Sequence, residues 1–385
     1  MPFDLVLTGG HVIDPAQGLD GPADVAFRDG LVAAIGPGLD TEGAEVRSAE
    51  GCYVVPGLID LHTHVYLHGT AISVDAERVA RASGSTTCVD TGSAGAGNMA
   101  GFRHHVIERS AVRIFAYVNL SFPGIFQGSG GMRLPEAENL DYLSIPHCVA
   151  AVRAHREHIV GIKIRVGLST TGRLGAMPLH LAIRAAEIAD VPVMVHIGAA
   201  PPPRLEDIVD PLRPGDIVTH CYTPKVNSPL TAGGKVRDTY LAARERGVIF
   251  DVGHGAGSFG FDTARVMVDQ GFWPDVISSD VHVDCIDGPA HDVLVTMSKF
   301  LCLGMPLPEV IRAATVTPAR VMNHTELGSL APGSAGDATL LVIDKGDFRY
   351  VDSIGATMSG DQRLRQRGIV LRGAWWDDGR PSDTA

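Results

Sequence analysis

Short apolar runs recur through the middle of this chain and alternate with helical patterns, and that alternation limits the possible folds more than any other feature. The runs lie at Leu58–Leu61, Thr86–Val89, Ile114–Leu120, Val160–Val166, Pro192–Ile197, Asp216–His220, Val248–Val252 and Val276–Ser279. Helical periodicity appears between them at Val74–Ala82, Leu179–Ile188, Thr239–Arg246 and Asp262–Gly271. Eight strands alternating with helices over this length predict an α/β fold, a (β/α)8 TIM barrel. A doubly wound open sheet is the alternative, but no Gly-rich phosphate fingerprint follows an early strand.

The two ends read differently. Asp4–Gly10, Ala23–Phe27 and Leu31–Gly36 are short β patterns, and Arg28-Asp29-Gly30 has the turn chemistry of a hairpin. Asp337–Ile343 and Gly368–Gly373 return to that style near the C-terminus. The expected organisation is therefore a small β-sandwich built from both termini, residues 1–54 and 329–385, around a barrel at 55–328. The loop Gly124–Asn139, with Gly128-Ser129-Gly130-Gly131, is long and small-residue-rich enough to cover the barrel mouth.

The 385 residues are 45% hydrophobic and 20% charged, the composition of an ordinary globular protein. A formal net charge of -12 argues against nucleic acid or an anionic membrane as partner. No stretch approaches the roughly 20 apolar residues of a membrane span. Met1–Leu7 lacks the basic start and cleavage site of a signal peptide. The six cysteines are scattered, without CxxC spacing, which fits a reduced, cytoplasmic protein.

In a barrel of this kind chemistry gathers at the C-terminal ends of the strands. The first strand runs into His62-Thr63-His64, and residues two apart in a strand share a face, so both imidazoles can approach one metal ion. The fourth carries Lys163 inside an apolar run, where an unpaired ammonium is costly. The fifth ends in His196, the sixth in His220 and the eighth in Asp280. Each residue alone has an ordinary structural explanation, a hydrogen-bonded histidine or a helix cap. Six of them, spread in order over the first, fourth, fifth, sixth and eighth strands, do not.

This set resembles the amidohydrolase superfamily in its binuclear-metal form. The Pro56–His64 motif carries the likeness, together with Ala314–Arg320 and Gly336-Asp337-Ala338. The resemblance implies two divalent metal ions, for which zinc is the best fit. His62, His64 and Asp280 would hold the first, His196 and His220 the second, and Lys163, carboxylated by carbon dioxide to a carbamate, would bridge them. A shared water would be deprotonated there, with Asp280 shuttling its proton to the leaving group.

Within the superfamily, dihydroorotases carry an arginine two positions after the His-x-His; this chain has Tyr66. D-Aminoacylases use a cysteine ligand, but Lys163 already fills the bridging role, which leaves Cys88 to pack. Gly161–Arg165, Val252–Phe259 and Ser279–His282 are most similar to a smaller group labelled deacetylase or dihydroorotase-like. That likeness implies removal of an acyl group, acetyl first among the candidates, from a small α-substituted carboxylic acid, with cyclic amide hydrolysis as the alternative. Arg165, His254, Tyr222 and His282 are the candidate substrate contacts. Enzymes of this type are often homo-oligomers.

Overall fold

The computed structural model describes residues 2–126 and 134–376. The Gly128–Gly131 segment of the expected cover loop lies outside the described residues.

Seven parallel strands form one sheet in strict sequence order: Leu58–Thr63, Ser85–Gly95, Arg113–Asn119, Ile159–Val166, Val193–Ile197, Ile217–Thr219 and Ile249–Asp251. Residues 276–281 close the ring as an eighth, more weakly paired strand, with Val276 bridged to Asp251 and Val281 to Thr63. Its backbone is held to the first strand by Asp280 N–H to His62 O (2.7 Å) and His64 N–H to Val281 O (3.0 Å). The Asp60 carboxylate adds to the closure by accepting both the backbone N–H and the hydroxyl of Ser279.

One buried cluster contains Ile59, Leu61, Val89, Phe115, Tyr117, Val160, Met194, Ile217 and Val276, with Ile249 packed against it. A cluster that takes side chains from all eight strands can lie only in the barrel interior, which is packed and is not a pore. The helices Ala76–Ser83, Met177–Ala189, Asp238–Glu245 and Phe261–Asp269 fall where the 3.6-residue periodicity places them. Asp75 caps the first of these by accepting from the N–H groups of Glu77 and Arg78, and Gly84 ends it in the left-handed conformation. Among the described residues no helix is long and apolar enough to cross a membrane.

Both termini contribute to a second, mostly antiparallel sheet of eight strands. Leu19–Arg28 and Leu31–Gly36 meet through the predicted two-residue turn, with Asp29 at φ 53° and Gly30 at φ 78°. Tyr53–Pro56 joins the halves, pairing parallel with Leu5–Asp14 and antiparallel with Ala338–Val351. Leu5, Leu7, Val25, Phe27, Val54, Leu340 and Val370 share one core, so neither terminal segment buries its apolar face without the other. A TIM barrel carrying a β-sandwich of both termini is the resulting architecture. The long hairpin Ala338–Val351/Thr357–Leu371 returns to the barrel, where the Ser353 hydroxyl and N–H both bond Phe259 O and Asp352 accepts the N–H of Phe261.

Candidate active site

Five of the six strand-end residues, His62, His64, Lys163, His196 and Asp280, line a cleft of about 530 Å³, and His220 is buried beside His196. One carboxylate oxygen of Asp280 lies 3.2 Å from His62 Nε2 and 3.2 Å from His64 Nε2. These three residues are buried and their donor atoms lie within 4.8 Å of one another. The His220 ring lies 5.2 Å from that of His62, and its Nε2 stands 2.6 Å from His196 Nδ1. Lys163 Nζ is 3.4 Å from His62 Nε2 and 3.4 Å from the Met194 sulfur. His220 and Asp280 both adopt left-handed backbone conformations, at φ 68° and 48°. Non-glycine residues occupy that region at a cost, and functional sites are where such strain collects.

The far sides of the rings fix which nitrogen faces the centre. The Thr219 hydroxyl donates to Asp251 (2.6 Å), so toward His62 Nδ1 (2.8 Å) it can only accept. His62 therefore carries its proton on Nδ1 and turns a lone pair on Nε2 inward. The same logic applies to His220, whose Nδ1 meets the carbonyl of Gly253 at 2.6 Å. His64 Nδ1 is 2.9 Å from the Ser93 hydroxyl. Outer partners of this kind set the tautomer and direction of a ring, which is what metal ligation by histidine requires.

Electrostatics agree with that arrangement. Burial lowers the His64 pKa to about 3 and takes His196 and His220 well below the ordinary value, so all three rings are neutral. Burial and the Lys163 amine also disfavour charge on His62, but Asp280 and Asp251 outweigh them and its pKa ends raised. Burial pushes the Asp280 carboxyl up, yet His62, His64 and His220 bring it well below its usual range, leaving an anion. Lys163 is 1% exposed and, among the described residues, has no carboxylate partner; burial lowers its pKa to about 7. The donor set thus consists of three neutral imidazoles beside His62, an anionic carboxylate and an amine ready to be uncharged, and it fits divalent metal.

The candidate substrate contacts are distributed unevenly. Arg165 and His282 line the cleft. The Arg165 guanidinium, however, is already matched by Glu136 through two bonds of 2.6 and 2.7 Å. His282 accepts the Asp284 N–H on Nδ1 (3.3 Å), which leaves Nε2 as its donor. Tyr222 packs instead of lining the cleft: it is fully buried and its hydroxyl donates to Phe272 O (2.8 Å). His254 is also away from the cleft wall, fully buried and stacked on Phe259. Cys88 is a core residue. Lys225, which sequence reasoning passed over, stands exposed on the cleft wall, and its ammonium has no hydrogen bond or ion pair among the described residues. Its only sequence signal is its place in the loop after His220. Thr219 and Asp251, both at strand ends, were legible by the rule that found the histidines, but no simple metal-ligand pattern includes a threonine.

No protein-family model matches the chain. A deacetylase of Brucella anthropi is 35% identical over 345 residues, covering 89% of this chain and 85% of the relative. A deacetylase of Enterococcus faecalis is 30% identical over 382 residues, 98% of this chain and all of that one. A crystal structure of a dihydroorotase superposes with a TM-score of 0.90 at 32% identity, covering 97% of this chain and 98% of that chain. The chain belongs to the amidohydrolase superfamily. A crystal structure of an adenine deaminase gives the same TM-score of 0.90 at 29% identity over 97% of this chain, so one amidohydrolase scaffold carries several differently named activities. This amidohydrolase is accordingly an enzyme, a metal-dependent hydrolase, and its particular substrate must be argued from its own cleft.

Proposed function

We propose that this amidohydrolase removes an acyl group, acetyl first among them, from a small α-substituted carboxylic acid, acting on an amide or ester link. The observation that carries the reading is the clustering of Asp280, Lys163 and three histidines on one cleft floor, with His220 buried against His196 beside them. The deacetylase relatives, which span nearly the whole chain, support the acyl chemistry.

In this reading His62, His64 and Asp280 hold one divalent ion, zinc by preference, and His196 and His220 a second. Neutral Lys163 can add carbon dioxide, forming an N–C bond and releasing one proton; the resulting carbamate anion would help to hold the ions, where an ammonium would repel them. When bound, the metal pair lowers the pKa of water and polarises the substrate carbonyl. Asp280, anionic at neutral pH, takes the proton of the attacking water and delivers it to the departing nitrogen or oxygen. His282 Nε2 donates to a substrate oxygen. Glu136 already neutralises Arg165, so the substrate carboxylate is met by Lys225, whose ammonium on the cleft wall has no partner among the described residues.

The test is turnover on N-acetyl amino acids and O-acetyl hydroxy acids of both hands, with dihydroorotate and hydantoin beside them, in zinc and bicarbonate. Acetate release from one hand, abolished in Asp280→Asn, is the expected result; no acetate from any member would refute the reading. A second reading, opening of a cyclic amide, is favoured by the likeness to the dihydroorotase structure. It predicts ring opening without acetate. Against it, the position of the dihydroorotase arginine is Tyr66, whose ring packs on Phe102.

A further inference from the structure

Lys299 is a fully buried lysine in the middle of the helix Val293–Cys302, outside the lining of the active-site cleft and outside the His62–His64–Asp280 cluster. Burying an ammonium is costly unless every proton finds an acceptor. Here all three do: Nζ donates to His254 Nε2 (2.7 Å), to Pro289 O (2.9 Å) and to Val351 O (2.8 Å). The three acceptors come from three different places, namely the loop after barrel strand seven, the loop after strand eight and the long hairpin of the terminal sheet.

His254 passes this anchorage on. Its Nε2 accepts from Lys299, so the ring proton sits on Nδ1 and donates to Gly255 O at 2.9 Å. The Phe259 ring, stacked on the imidazole at 4.7 Å, fixes its plane. Gly255 is pressed against the active site. Its N–H bonds Ser279 O (2.9 Å), its φ is +54°, and a Cβ built on it would stand 2.2 Å from Asp280 Oδ2. The Asp280 oxygen that does not face His62 and His64 therefore rests on a bare backbone turn, and that turn is held from behind by His254.

We propose that Lys299 and His254 are positioning residues: a buried pair that fixes the Gly255 turn against the Asp280 carboxylate and ties that turn to the terminal β domain. Neither residue touches substrate. The inference rests on the proposed role of Asp280, and its test carries a readout that does not need turnover.

Two variants make the test. His254→Gln keeps an acceptor for the ammonium but has no donor for Gly255 O. In Lys299→Met/His254→Leu both polar partners are removed together, so that neither is left buried and unpaired. Each variant is compared with the wild type for thermal stability, for zinc affinity by chelator competition, and for kcat and KM. Positioning predicts near-wild-type melting, zinc binding weakened about 10- to 100-fold, and a fall in kcat with KM little changed. Wild-type zinc affinity and kcat in either folded variant would overturn the proposal. If the wild type hydrolyses no acyl substrate, the functional reading fails, and zinc affinity alone still decides the role of the pair.

Discussion

Replacing Thr219 by valine removes one hydroxyl and leaves the shape of the side chain unchanged, so it isolates the link that orients His62. Two hydrogen bonds are lost, the 2.6 Å donation to Asp251 and the 2.8 Å acceptance from His62 Nδ1. Asp251 keeps the Ser278 hydroxyl on its other oxygen, at 2.6 Å, so its charge is not stranded. The fold should then lose about 1–3 kcal/mol, the cost of leaving a buried partner unsatisfied. The larger effect falls on the metal site. A ligating histidine deprived of its outer partner typically binds metal about 10- to 100-fold more weakly, which corresponds to roughly 1.4–2.7 kcal/mol. Chelator competition with zinc reads this directly, and Thr219→Ser, which keeps the hydroxyl, serves as the control. Thr219→Val with wild-type zinc affinity would refute the claim that this hydroxyl sets the ring, and would point instead to the direct approach of Asp251 to His62 at 3.5 Å.

Two further outcomes follow from the same geometry. Gly255→Ala places a methyl on Asp280 Oδ2 at a residue whose φ is +54°; strain of about 1–3 kcal/mol in the melting equilibrium should accompany loss of turnover, and an active, wild-type-stable alanine variant would contradict the packing. Burial lowers the pKa of Lys299 to about 7, with Asp352, Asp292 and Cys285 opposing it. The unfolded chain holds that proton to higher pH than the native state, so the contribution of Lys299 to stability should rise as pH goes from 7 to 10. Denaturant unfolding of the wild type against Lys299→Met, compared across that range, measures the slope; a difference that is flat or falls with pH would contradict it.

The barrel was legible because each parallel strand is buried on both faces and so reads as a continuous apolar run. The candidate metal-site residues could be picked out because chemistry concentrates at strand ends, where His62, His64, His196, His220 and Asp280 interrupt those runs. What the sequence hid depends on contacts made over long separations. Arg165 lies two residues beyond Lys163, which suggests a substrate contact, but Glu136, 29 positions away, already occupies its guanidinium. His254 ends a strand like the other histidines, yet Gly253 and Gly255, at φ 46° and 54°, turn the chain there, and the ring is sequestered beside Phe259 and Lys299. Tyr222 follows His220 directly, but its hydroxyl finds a carbonyl 50 residues on. The hairpin at Asp29-Gly30 shows the opposite case, in which local turn chemistry is sufficient.

A two-metal centre built from six side chains can be counted by elemental analysis of protein reconstituted with zinc and bicarbonate, dialysed and assayed for acetate release. Two equivalents of zinc per chain are expected, with turnover lost on chelation, restored by zinc, and one equivalent or fewer retained in Lys163→Ala. Full turnover in metal-free protein, or a Lys163→Ala variant that still holds two equivalents, would contradict it.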